Sequence, residues 1–203
     1  MATLLVGLSG NPITNAHLVI ARLAMEEGGY HEAIFIPCGD APHKNNLISF
    51  DHRLEMVKLS VEGEAGFDFT VIEGEWAKNG KKSFTIDTYR FFRDNLAGKD
   101  VTWLIGGDNV SQVTLWHDFP AIRQEMKFAV VPREINDNNG LTLAESIHLF
   151  DHFGIKYKAL NLPLFPISST MVRDRVKRGR SIRWLVPDVV NDYIKKNGLY
   201  KGD

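Results

Sequence analysis

The chain has 203 residues, of which 44% are hydrophobic and 24% charged, a composition that excludes an intrinsically disordered protein and suits one globular domain with a small appended element. Its 24 Lys and Arg against 25 Asp and Glu leave a formal charge of −1, which argues against bulk binding to nucleic acid or a membrane surface but allows a local basic patch. At this length about 70% of the unfolded surface can be buried, so folding needs no disulfide or metal staple.

The first seven residues carry no basic lead and no long apolar run, so no secretory signal is expected. Residues 4–8 read as a buried strand that breaks at Ser9-Gly10-Asn11-Pro12. Leu18, Ile20, Ala21, Leu23, Ala24 and Met25 predict a helix apolar on most sides, closed by Gly28 and Gly29. A second strand follows at 33–37, with Cys38 beyond it. This lone cysteine cannot form an internal disulfide or a multi-cysteine zinc site; it fits a reducing compartment, with a packing role the plainer reading and a reactive thiol the alternative. A polar loop through Asp40, Pro42 and Lys44 leads to a helix carrying Leu54, Val57, Leu59 and Val61. Residues 67–72 read as a third strand and 73–82 as a polar, Gly-containing connection. A helix then starts near Ser83, with Ile86, Tyr89, Phe92 and Leu96 at helical spacing and Asp87 suited to the positive end of its dipole. Strands four and five are expected at 101–105 and 128–131, and residues 136–140 are the most loop-like in the chain. The last forty residues read as helices, one over 170–177 and one with Pro187 at its first position and Gly198 past its end.

Near-continuous apolar strands alternating with helices imply an α/β fold, a Rossmann-like, doubly wound and mainly parallel sheet with helices on both faces. Residues 1–165 would form the sheet core and 166–203 a helical C-terminal element. No run of 18 apolar residues is present, and there is no repeat or low-complexity tract. A soluble, cytoplasmic protein is the expectation. Ligands in such folds bind beyond the carboxyl ends of the strands, so the loops after strands one, two and four matter most.

The turn at 7–17, Gly-Leu-Ser-Gly-Asn-Pro-Ile-Thr-Asn-Ala-His, is the most informative stretch. Glycines at a strand end let backbone approach a phosphate, the next helix offers unpaired N–H groups, and His17 falls near its first turn. A Gly-rich turn beside a buried histidine is the plainer reading. The stretch is neither GxGxxG nor the GxSxG elbow of hydrolases. The second candidate is Ile167-Ser168-Ser169-Thr170-Met171-Val172-Arg173. A hydroxyl caps the helix start there, and Arg173 shares a face with Thr170. Lys177 and Arg178 suit a helix C-terminus, whereas Arg173 lies toward the end where the dipole disfavours a cation, a conflict that a bound anion would resolve. Two other patterns fail. Gly80-Lys81-Lys82 lacks the leading glycine and the Ser/Thr of a P-loop, and His148 with His152 lacks the glutamate of HExxH and a third ligand.

These two stretches, about 150 residues apart, resemble the T/HxxH and ISSTxxR signatures of the nucleotidylyltransferase superfamily. Together they resemble the nicotinate/nicotinamide mononucleotide adenylyltransferase family over nearly the whole chain. Asn11-Pro12-Ile13-Thr14 and the tail from Arg180 to Tyr200 look closest to its eukaryotic nicotinamide branch. Pro42-His43-Lys44, Asp51-His52-Arg53, Ser83 to Thr88 and Gly106-Gly107-Asp108 with Trp116 look more like its bacterial nicotinate branch. Bacterial members usually have histidine where Thr14 stands and glycine where Ala16 stands, and Gly10 replaces a common aromatic residue.

The resemblance implies transfer of an adenylyl group from ATP, with Mg2+, to nicotinate or nicotinamide mononucleotide. It implies that His17, Lys44 and Arg173 act in catalysis. It further implies that Leu8, Ser9, Thr14, Gly106, Asp108, Ile167, Ser168, Ser169 and Thr170 hold ATP with His17 and Arg173. Thr85, Trp116, Arg133 and Lys44 would hold the mononucleotide, Trp116 by stacking on the pyridine ring. Asp108 would bind the ATP ribose or cap a helix. Neither nucleic acid nor membrane is an expected partner, and self-association is left open. Transfer to another small molecule such as phosphopantetheine, or non-catalytic nucleotide sensing on the same fold, are the competing readings.

Overall fold

The computed structural model describes residues 1–41, 47–96, 98–132 and 143–202. Its strands are β1 (Ala2–Leu8), β2 (Glu32–Pro37), β3 (Phe67–Phe69), β4 (Asp100–Gly106), β5 (Lys127–Val131) and β6 (Lys156–Ala159). Its helices are α1 (Asn15–Gly28), α2 (Phe50–Val61), α3 (Ile72–Lys78), α4 (Thr85–Asn95), α5 (Gly107–Val110), α6 (Phe119–Glu125), α7 (Leu143–Phe153), α8 (Ser169–Lys177) and α9 (Asp188–Lys196). The strands form one sheet in the order β3-β2-β1-β4-β5-β6, and each pairing is parallel.

Because side chains alternate along a strand, β1 feeds two cores. Leu4, Val6 and Leu8 join Ala21, Met25, Met56, Val57, Val172 and Ile194, so α1, α2, α8 and α9 cover one face. Leu5 joins Ile86, Tyr89, Phe92, Ile122 and Phe150, so α4, α6 and α7 cover the other. The fold is thus the doubly wound α/β sheet expected, with strand order reversing between β1 and β4. Loops after those two strands part to opposite sides and leave a crevice at their carboxyl ends.

Three boundaries differ from the sequence expectation. The third strand ends at Phe69, and residues 72–78, expected as a connection, form α3. The Thr70 hydroxyl accepts from the Ile72 N–H at 3.2 Å and helps start the helix, while Glu73 and Glu75 in its first turn and Lys78 in its last match the dipole. The sequence reading missed β6 because its Lys-Tyr-Lys-Ala is largely exposed, as an edge strand paired only to β5 can be. Pro187 is the N-cap of α9 rather than its first residue. The stretch 136–140 lies outside the described residues.

A charged cluster ties α4 to α6. Arg90 Nε and Arg93 Nη1 both donate to Glu125 Oε2, at 2.9 and 2.6 Å, and Arg90 also pairs with Asp118 at 3.5 Å. Hydrogen bonds from Arg90 and then Arg93 hold the Glu125 carboxyl down at about 2, against an ordinary 4.5. A depressed carboxyl pKa stabilises the fold above the unfolded value, and that contribution is lost as pH falls through the folded one. Glu125→Gln is therefore expected to cost stability at pH 7 and progressively less between about pH 4.5 and 2. Denaturant unfolding of both proteins across that range checks this; a pH-independent cost would contradict it.

Candidate active site

The turn after β1 enters α1 through Thr14, whose N–H and hydroxyl both lie on His17 Nδ1, at 3.1 and 2.7 Å. With Nδ1 accepting, the proton of a neutral imidazole is assigned to Nε2, which makes that nitrogen a donor. Thr14 is fully buried, and its hydroxyl orients the histidine. Gly10 has φ 63, a left-handed conformation that a side chain would resist, and this gives the turn its shape.

The backbone oxygens of this turn are captured one after another by distant side chains. Arg53 Nη1 donates to Ser9 O at 2.7 Å. Arg173 Nη1 donates to Asn11 O at 2.8 Å, and Ser169 Oγ to Pro12 O at 2.8 Å. Tyr200 OH donates to the buried Asn11 Oδ1 at 3.0 Å; burial raises its pKa, with the Arg173 and Arg53 charges pulling the other way. Farther along, Trp184 O accepts from Asn15 Nδ2 at 2.8 Å and Leu185 O from the Asn15 N–H at 3.0 Å. The two signature segments, far apart in sequence, therefore pack directly against each other.

Within α8, Ser168 is the N-cap and accepts from the Met171 N–H at 3.1 Å, and Arg173 Nη2 donates to Thr170 Oγ1 at 3.1 Å. Arg173 is the fifth of the nine residues of α8, beyond its first turn, so the dipole conflict expected from the sequence is not found, and its guanidinium grips the Asn11 carbonyl. Neither α1 nor α8 has an acidic residue in its first turn. The cleft thus gathers two positive helix ends, an imidazole donor and a guanidinium, a set suited to a polyanion.

On the β4 side, Gly106 is the N-cap of α5 and Asp108 lies in its first turn, so the cap reading of Asp108 is corrected. Asp108 Oδ1 accepts from Asn109 Nδ2 at 3.0 Å. Leu8 O accepts from the Cys38 N–H at 2.9 Å, and the Ile167 N–H donates to Phe165 O at 2.8 Å. Thr85 opens α4, and Trp116 follows a short 3-10 turn at Val113–Leu115. Their neighbours Phe84 and His117 stack with ring centroids 4.0 Å apart, so the segments that carry Thr85 and Trp116 meet. Trp116 is part-buried, with its ring 6.5 Å from that of Phe128. Lys44 and Arg133 lie outside the described residues. Among the described residues no cluster of His, Cys, Asp or Glu could hold a metal ion, the His148 and His152 pair included, and no helix is long and apolar enough to cross a membrane. A crevice of about 300 Å³ lined by Lys58, Val61 and Phe67 shares no residue with this cleft.

Residues 9–175 match the family described as cytidylyltransferase-like. Over 202 residues the chain is 33% identical to a "probable nicotinate-nucleotide adenylyltransferase" of Caldicellulosiruptor saccharolyticus, covering 99% of this chain and 100% of that one. The chain belongs to the cytidylyltransferase-like family, among its nicotinate-nucleotide adenylyltransferases. A relative of the same name from Citrifermentans bemidjiense is 33% identical over 211 residues, covering 97% of this chain and 96% of that one. In fold, this family member superposes on the nicotinic acid mononucleotide adenylyltransferase of Plasmodium falciparum, solved in complex with NaAD, with a TM-score of 0.79, 19% identity and 98% coverage of both chains.

Sequence reasoning passed over Asn11, Arg53 and Tyr200 as site-building residues, since each works by holding the turn and an isolated Asn, Arg or Tyr carries no such signal. Arg173→Ala should raise the ATP dissociation constant about 10- to 100-fold, the value of one hydrogen bond or two to a charged group. Calorimetric titration with ATP checks it, and unchanged affinity would remove Arg173 from the phosphate site.

Proposed function

We propose that the phosphate of nicotinate mononucleotide attacks the α-phosphorus of ATP at this cleft, forming the dinucleotide and releasing pyrophosphate. The observation that carries this reading is the joining of the α1 and α8 starts around His17 and Arg173 through the Asn11 and Pro12 carbonyls. The nucleophile is already an anion at neutral pH, so the reaction calls for charge neutralisation and alignment rather than a strong base. A histidine donor, helix N-termini and a guanidinium supply that.

In this reading His17 Nε2–H meets the phosphates as charge builds on them, and Thr14 acts through the imidazole it orients. Arg173, Thr170 and the N-terminal N–H groups of α8 take the outer phosphates. The hydroxyls of Ser168 and Ser169 serve the cap and the Pro12 contact, so their contribution to ATP comes from the backbone. Asp108 with Gly106 receives the ribose, beside Leu8, Ser9 and Ile167. Thr85 and Trp116 take the pyridine end, and Lys44 and Arg133 the mononucleotide phosphate. Mg2+ arrives on ATP as part of the substrate, carried by phosphate oxygens rather than by a protein cage. Nicotinate is favoured over nicotinamide mononucleotide by the names of the relatives that match nearly all of the chain.

Incubation with ATP, Mg2+ and each mononucleotide in turn, followed by pyrophosphate release, tests the proposal; no release with either would end it. His17→Ala should lower kcat on the order of a hundredfold, the cost of one donor at a developing charge, while circular dichroism stays unchanged. Trp116→Ala should raise KM for the mononucleotide about 5- to 100-fold, the worth of one stacked ring, with KM for ATP unmoved. Equal effects on both substrates would take Trp116 off the pyridine ring.

A further inference from the structure

Among the described residues the largest fully buried side chain is a cation, Arg53 of α2, at 2% exposure. Its Nε donates to Ile48 O at 3.1 Å. Nη1 donates to Ser9 O and to Cys38 O, at 2.7 and 2.6 Å, and Nη2 to Gly39 O at 3.3 Å. One guanidinium thereby ties the end of β1 to the end of β2 and to the approach to α2.

A second buried ionisable group lies on the other side of Gly39. Glu73 of α3 is 5% exposed, and its Oε1 accepts from the Thr88 hydroxyl of α4 at 2.7 Å. Its Oε2 accepts from the Gly39 N–H at 3.3 Å, which is shared with Ser83 Oγ at 3.0 Å. The Ser83 N–H in turn donates to Asp40 O at 2.9 Å. Gly39 is therefore held by Glu73 at its N–H and by Arg53 at its C=O. A Cβ on Gly39 would sit 2.1 Å from Glu73 O, so the approach admits only glycine. Burial raises the Glu73 pKa against the pull of Thr88, Ser83, Gly39 and the Arg53 charge. Buried ionisable groups are costly unless hydrogen-bonded, and both of these are held by several partners.

The chain Ser9–Arg53–Gly39–Glu73–Thr88 runs between the two halves of the cleft. At one end stands the turn that receives ATP, and at the other the helix whose first residue, Thr85, receives the pyridine ring. We propose that Arg53, Gly39 and Glu73 form a positioning strut that sets the separation of the ATP turn from α4, so that the mononucleotide phosphate meets the α-phosphorus in line. This rests on the adenylyl-transfer reading above. A strut of this kind acts on alignment, hence on kcat, and leaves each substrate's own contacts intact.

The test uses the full chain and dinucleotide formation with both substrates varied, alongside thermal midpoints. Thr88→Val removes the donor to Glu73 at nearly constant volume, and Thr88→Ser keeps it. Thr88→Val and Glu73→Gln are expected to lower kcat about tenfold with both KM values within about twofold, and Thr88→Ser to restore kcat to within about twofold of the parent. The strut is overturned if Thr88→Val and Glu73→Gln lower only the thermal midpoint and keep the parent kcat. It is likewise overturned if Thr88→Ser loses as much kcat as Thr88→Val. Should Glu73→Gln not fold, the two Thr88 variants decide alone. A parent enzyme inactive toward every pyridine mononucleotide overturns the adenylyl-transfer reading itself, a result distinct from an active parent with unaffected variants.

Discussion

The candidate site depends on what is done with three backbone oxygens. Ser9, Asn11 and Pro12 each present a carbonyl in the turn proposed to receive the triphosphate, and an oxygen turned toward such an anion would repel it. Arg53, Arg173 and Ser169 draw the three oxygens onto protein donors. A buried carbonyl left without a donor costs about 1–3 kcal/mol, so the arrangement both holds the turn and fixes which way it faces. The Thr14 and His17 pair then sets the imidazole on the same rigid base.

Sheet topology supplies the rest of the geometry. A parallel sheet whose order reverses between β1 and β4 opens a crevice there, and the helices that follow start at its rim. Two of those helices start without a carboxylate, which keeps the rim positive. Across the sheet, α4 and the segment from Trp116 to Asp118 are pinned together by the Phe84–His117 stack and the Arg90–Asp118 pair. The flanks proposed for the phosphates and for the pyridine ring are thus each stiffened by contacts of their own.

Much of this was legible in the residues because it is local. Strands 33–37, 101–105 and 128–131 are short apolar runs, and α4 shows its period in Ile86, Tyr89 and Phe92. The placement of His17 in the first turn of α1 and of Arg173 beside Thr170 follows from spacing alone. What was not legible is non-local or disguised. The glycine in α3 and its dense polar residues imitate a loop, and only the fold shows that Glu73 points inward to Thr88 and Gly39. The polar strand β6 forms because β5 offers it a ladder, which no propensity records. Tyr200 and Asn11 meet across most of the chain's length, and neither residue type announces such a pairing.

That last contact, with the Arg173–Asn11 and Ser169–Pro12 bonds, means the turn after β1 is completed by residues 157 to 189 positions farther along the chain. Pairings of such separation raise the contact order of the fold, which slows the folding of a domain as a whole. A chain cut before Ser169 would therefore retain the residues of all six strands yet lack the donors to the Asn11 and Pro12 oxygens.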